Sequence, residues 1–132
     1  MADAVTSQTL VDNDRRAVVK LTNISDGTGE SAVTKVDVSG LNADGEGRAC
    51  TSVTIERIQY DVSGMQVQVL WDATTDLVCA TLSSSATLCF KDFGGLKNNA
   101  AAGKTGDVNF TTTNHSAGDT YTVVLSLLKN YE

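Results

Sequence analysis

The stretch VTIERIQYDVSGMQVQVLWD, residues 53–72, decides the fold. Val53 and Ile55 alternate with Thr54 and Glu56, the period-2 pattern of a strand with one apolar face. At Glu56-Arg57 the phase slips, and Ile58, Tyr60 and Val62 carry the apolar face onward. A one-residue slip of this kind predicts a β-bulge. Asp61-Val62-Ser63-Gly64 supplies turn chemistry, with Gly64 free to take a positive φ. The return strand sets Met65, Val67, Val69 and Trp71 on one face and Gln66 and Gln68 on the other. The segment therefore reads as a long β-hairpin, with the only tryptophan, Trp71, as a central packing element.

The same alternation continues outward. Residues 16–22 (RAVVKLT), 32–38 (AVTKVDV), 76–82 (DLVCATL), 87–92 (TLCFKD), 105–113 and 120–128 (TYTVVLSLL) read as strands. Between them, 23–31, 39–48 and 93–104 are loops rich in Gly, Asp, Asn and Ser. The run 100–102 could add a helical turn but is too short to hold a helix alone. About eight short strands with no convincing helix predict an all-β fold, an antiparallel β-sandwich; a jelly roll is one eight-stranded option. Strand order is not legible from the residues. Val53, Ile55, Ile58, Tyr60, Val67, Val69, Trp71, Val108, Phe110, Val123 and Leu125 form the expected core. Residues 1–14 read as an N-terminal arm or irregular lead-in, and 15–132 as a single β-sandwich domain.

Composition narrows the function classes. A chain of 132 residues buries roughly two-thirds of its unfolded surface, enough for a core without metals or disulfides. The net charge of −6 argues against nucleic-acid coats and anionic membranes as partners. The opening MADAVTSQTL has neither a basic region nor an apolar run, so it does not read as a signal peptide. No apolar stretch approaches the roughly 18 residues of a membrane helix. The sequons at Asn23, Asn109 and Asn114 are then expected to be unused. Cys50, Cys79 and Cys89 are an odd number without close pairing and read as reduced thiols. A cross-strand Cys79–Cys89 bridge over a hairpin-like turn is the one pairing worth testing. Proline is absent, so the turns rest on Gly, Asn, Asp and Ser.

Chemistry-bearing motifs are weak. The run AAGKTG, 101–106, resembles part of a phosphate loop, but the first required glycine is Asn98 and a strand follows in place of a helix. His115 is the only histidine and the cysteines show no CxxC, which leaves too few ligands for a zinc site. Asp12, Asp14, Asp26, Glu30, Asp44 and Glu46 lie in loops or the lead-in without helix-loop-helix calcium spacing and read as solvated turn carboxylates. Only seven aromatic residues are present, few for a sugar cleft or a base-stacking platform. No enzyme activity and no cofactor are expected.

Phrases covering most of the chain then bear on its class: MADAVTSQTL, KLTNISDGTGES, TKVDVSGLN, SVTIERIQYDVSGMQV, LWDATTD, DFGGLKNNAAAGKTGD and NFTTTNHSAGDTY. Through these the chain resembles small virion proteins of tailed bacteriophages, chiefly marine and cyanobacterial ones. None of the phrases is a catalytic signature. The resemblance implies a structural protein made in the host cytoplasm and carried on the virion. A capsid decoration (cement) protein on the capsid surface, bridging major capsid protein subunits, is the favoured form. The alternatives are a tail, neck or fibre-associated β-domain of the virion, or a carbohydrate-binding module.

The last strand carries apolar residues on both faces, Tyr121, Val123, Leu125 and Leu127 on one and Val124 and Leu128 on the other. A sheet face that meets water should read polar, so this pattern predicts a neighbour. The expected contacts are Val5, Leu10 and Val11 of the arm together with Val124 and Leu128, in a homo-oligomer (a trimer favoured) or against another virion protein.

Overall fold

A computed structural model describes residues 4–131 apart from Asp14, Thr28, Asp44, Ala101, Ala102 and Lys104. The described residues form nine strands: β1 (Ala4–Asp12), β2 (Arg16–Ile24), β3 (Val33–Val36), β4 (Cys50–Ser63), β5 (Gln66–Trp71), β6 (Leu77–Leu82), β7 (Ser85–Cys89), β8 (Val108–Thr113) and β9 (Thr120–Tyr131). Short 3-10 turns follow β3 (Val38–Gly40) and β7 (Lys91–Phe93). All eight expected strands are present, and β1 is a ninth. The helical turn expected at 100–102 falls on Ala101 and Ala102, outside the described residues.

Two antiparallel sheets result, one in the order β1-β2-β9-β4-β7 and one in the order β3-β8-β5-β6. The ladders β2·β9, β3·β8, β4·β7 and β5·β6 pair the first of eight strands with the last, the second with the seventh, and so inward. That wrapping is the jelly roll. β1 adds one strand to the rim of the larger sheet.

This wrapping corrects the reading of residues 53–72. β4 and β5 are not a hairpin: β4 pairs with β9 and β7, whereas β5 pairs with β8 and β6. The chain crosses from one sheet to the other at Ser63-Gly64, where Gly64 takes φ +84°. Period 2 fixes which side chains point inward but is blind to whether two apolar faces lie side by side or across the core from each other. The same correction applies to 76–92. β6 and β7 lie in different sheets, so Cys79 and Cys89 are not cross-strand neighbours, and all three cysteines are free thiols.

The side-chain phase is as expected. The register of β4 against β9 shifts between Ile55 and Arg57, where the sequence slips. Val53, Ile55, Ile58, Val67, Val69, Trp71, Val108, Phe110, Val123 and Leu125 are all fully buried. Tyr60 is a partial exception, packed against the core but half-buried. Each large apolar side chain removed from water contributes about 1.5–3 kcal/mol before entropy is counted. The Phe110 and Tyr121 rings, one from each sheet, meet edge to face with centroids 5.7 Å apart.

Residues 4–12 are an edge strand in place of the expected arm. Their register runs from Ala4 opposite Ile24 to Asp12 opposite Ala17, with a bulge between Thr9 and Val11. The turn into β2 is held by the Asn13 side chain, whose Oδ1 accepts from the Arg15 and Arg16 amides at 3.0 and 2.9 Å. Lys129 of β9 ties this corner down. Its buried ammonium donates to the Asp12 carboxylate, to Asn13 O at 2.7 Å and to Asn42 O at 3.0 Å. Asp12 is thus a partner in an ion pair and not the solvated carboxylate the sequence suggested.

Candidate functional site

The five expected contact residues separate into two groups. Val5, Leu10 and Val11 lie on β1, which has a hydrogen-bonded neighbour on one side only. They are 46%, 48% and 40% exposed, and every residue from 5 to 11 is exposed. β1 therefore offers an open edge and two open faces. Val124 and Leu128 lie on the outer face of β9, in the middle of the larger sheet, and are half-buried.

Register brings part of this set together. Val11 stands opposite Val18, and Val18 opposite Ser126. Val124 and Leu128 flank Ser126 on the same face of β9, as diagonal neighbours of Val18. Val11, Val18, Val124 and Leu128 thus share one outer face of the larger sheet. Val5 does not join them: it stands opposite Asn23, on the inward phase of β2. Leu10 falls in the bulge. Val18 was missed in the sequence, although RAVVKLT carries the signal. Ala17, Val19 and Leu21 fill the inward phase and leave Val18 as the apolar residue out of step. Ile24, 58% exposed at the end of β2, was missed for the same reason.

Long polar side chains surround the strip. Lys20 and Gln59 stand opposite Val124, and Arg16 and Thr54 stand opposite Leu128. Arg16 is ion-paired with Glu56, the residue at the β4 bulge. Beside them Arg16, Val18, Glu56, Arg57, Lys91 and Ser126 border a shallow cleft of about 220 Å³. The outer face around the apolar strip thus carries charges of both signs, Lys20, Arg57 and Lys91 together with the paired Arg16 and Glu56 and with Asp61.

A second cluster lies between the sheets at one end. Glu30 Oε1 accepts from Tyr121 Oη at 2.5 Å and from Asn23 Nδ2 at 3.0 Å, while Oε2 is ion-paired with Lys35. The backbones of Glu30 and Thr112 are also joined to this cluster. The Glu30 amide donates to Thr112 Oγ1 at 2.8 Å and the Thr112 amide to Glu30 O at 3.0 Å. His115 Nδ1 stands 3.3 Å from the same Thr112 hydroxyl. Glu30 and Lys35 are 4% and 8% exposed in their side chains, so the expected solvated carboxylate is a buried, fully engaged one. Such a pair costs desolvation and returns it through its hydrogen bonds. It joins β2, β3, β8 and β9 and is structural in character.

Among the described residues no group of three or more His, Cys, Asp or Glu side chains is placed to hold a metal ion. Asp14 and Asp44, named among the loop carboxylates, lie outside the described residues. Two of the three sequon asparagines, Asn23 and Asn109, are buried at 1% and 2% exposure. Burial raises the thiol pKa of Cys50, and that of Cys79 to about 12. Every described aromatic side chain is buried or half-buried. No family model matches the chain. No curated protein matches it in sequence either.

Proposed function

We propose that this chain is a structural protein of a phage particle, a capsid decoration protein that stabilises the head by bridging capsid subunits. The observation that carries the reading is the strand order, a jelly roll. That architecture recurs in viral capsid domains as well as in lectins and cupins. A fold alone does not assign a function. The particle is the expectation drawn from the phrases quoted in the sequence analysis, and the surface offers a means of attachment. β1 presents Val5, Leu10 and Val11 on an open edge. Beside it Val18, Val124 and Leu128 make an apolar strip bordered by charged side chains.

In this reading the protein assembles as a trimer and meets the major capsid protein through the β1 rim and the outer face of the larger sheet. Open edges and apolar faces are where proteins pair with others. A lectin-like role is less well served, because sugar stacking uses an exposed aromatic ring and the described rings are all at least half covered. The test is a reconstruction of particles that carry the protein. Density for the jelly roll on the outer capsid surface, at contacts between capsid subunits, supports the proposal. Density confined to the neck, tail or fibres overturns the decoration role.

A further inference from the structure

The buried Glu30 carboxylate holds more than its cation. Oε2 is ion-paired with the Lys35 ammonium. Oε1 accepts from Asn23 Nδ2 at 3.0 Å and from the Tyr121 hydroxyl at 2.5 Å. An amine and a primary amide thus stand on the two oxygens of one carboxylate. Asn23 belongs to β2 in the larger sheet, and Lys35 to β3 at the rim of the smaller one. Lys35 sits at the irregularity of β3, where the register against β8 shifts between Thr34 and Val36. A bulge re-aims a side chain. Here it turns Lys35 into the sandwich beside Val36, its inward-facing neighbour in sequence.

The cluster is closed to solvent. Asn23 is buried, as are the side chains of Glu30 and Lys35. The Phe110 ring packs edge to face on Tyr121 beside them. The His115 ring lies so close over Gly29, the residue before Glu30, that a Cβ there would collide with it. A structural ion pair needs a cation and hydrogen-bond donors, and Tyr121 already supplies a donor. An amine held against a base, next to an acyl group it can attack, is the arrangement of nucleophilic acyl transfer. A carboxyl within hydrogen-bond reach of both the nucleophile and the leaving group can serve the two in turn. Both reactants belong to one folded chain, so no bimolecular encounter is required. A dry site suppresses competing hydrolysis.

We propose that Lys35 and Asn23 join in an intramolecular amide cross-link, with Glu30 as the acid–base group. Glu30 Oε2 takes one proton from the Lys35 ammonium, and the freed Nζ lone pair adds to Asn23 Cγ. Nζ then gives up a second proton and Nδ2 gains one, both through the Glu30 carboxyl. The Cγ–Nδ2 bond breaks, and the departing ammonia carries off the first proton as ammonium. The sum is an ammonium and a primary amide giving a secondary amide and free ammonium. Nothing is oxidised or reduced, and Glu30 ends as it began. The bond fastens the four-residue edge strand β3 to β2 and so ties one sheet to the other at this end. The inference is independent of the particle reading.

The test is the intact mass of the purified full chain after denaturation, followed by tryptic mapping. The expected mass is one ammonia below that of the sequence, with allowance for the initiator methionine. Trypsin should fail to cut after Lys35. It should release residues 21–48 as one peptide, also one ammonia light, with no backbone fragments separating position 23 from position 35. Lys35→Arg keeps a cation for Glu30 but removes the amine. Glu30→Gln keeps an acceptor for Tyr121 and Asn23 but removes the base. Both variants should show the full mass, and circular dichroism reports whether each is folded. A parent chain at full mass that is cut after Lys35 overturns the proposal. So does a loss of ammonia with Lys35 still cut, which marks an imide at an asparagine and not a cross-link. A folded Glu30→Gln chain that is cross-linked as fully as the parent overturns the role of Glu30.

Discussion

Tyr121, on the central strand of the larger sheet, donates its hydroxyl to Glu30 Oε1 at 2.5 Å across 91 residues of sequence. The contact locks the loop before β3 into the end of the sandwich. Tyr121→Phe removes this donor from a buried carboxylate and should destabilise the fold by about 1–3 kcal/mol. Lys35→Met strands the same carboxylate without its cation and should cost more, about 3–5 kcal/mol. Equilibrium unfolding in urea checks both. A Lys35→Met protein as stable as the parent contradicts the ion pair's role.

Trp71 is wholly buried and is the largest side chain in the core. Trp71→Ala should destabilise by about 3–5 kcal/mol through lost burial and the cavity left behind. The intact protein should show the blue-shifted tryptophan emission of an apolar site. Emission at the wavelength of free tryptophan would contradict the core as described.

The thiols should differ in reactivity. Cys89 is exposed, Cys50 is buried, and burial pushes the Cys79 thiol up to about 12. Alkylation proceeds through the thiolate, so at pH 8 the native protein should be modified first at Cys89. Peptide mass mapping after a short exposure to iodoacetamide reads the order. Equal labelling of all three would mean that both sheets open readily, at Cys50 on β4 and at Cys79 on β6.

Asp107 gives a dependence on pH. Burial, and then the neighbouring charges of Asp37 and Asp72, raise its carboxyl above the ordinary 3.8, while the bond from the Val38 amide opposes the rise. A raised folded-state pKa means that the protonated form favours folding. This contribution is complete below about pH 3.8 and is lost as pH climbs through the raised value. Asp107→Asn keeps the acceptor for Val38 N. It should match the parent in strong acid and exceed it in stability at pH 7. Thermal melts across that range check the sign; a variant less stable at pH 7 than in acid, relative to the parent, reverses it.

Much of the fold was legible in residues 53–72, because a half-buried strand prints its inward face at every second position. The slip at Glu56-Arg57 located the bulge for the same reason. The partner of each strand was not legible. Val53–Val62 and Met65–Trp71 carry the same pattern whether the strands lie side by side or face each other across the core. β1 escaped notice because both its faces are exposed, so AVTSQTLVD shows no alternation to read. Glu30 looked like a loop charge and Lys35 like a charge on the polar face of a strand; only the distant partners of Glu30, Tyr121 and Asn23, make the pair interior. Of the contact strip, Val11, Val124 and Leu128 could be named, but the residue that joins them, Val18, needed the register of β2.

The central claim is that the β1 rim attaches this domain to a capsid. The direct measurement is the occupancy of particles lacking the protein, after they are incubated with the full chain or with a chain lacking residues 2–11. β1 pairs along its length with β2 alone, its ties to Lys129 and Asn42 run through Asp12, which the deletion keeps, and residues 5–11 are exposed, so the shortened chain should keep its β-sheet circular dichroism and a cooperative melt. The account predicts that the full chain decorates the particles and that the shortened one binds at least about tenfold more weakly, a loss of roughly 1.4 kcal/mol or more. Full occupancy by the shortened chain, or no binding by either, would contradict it.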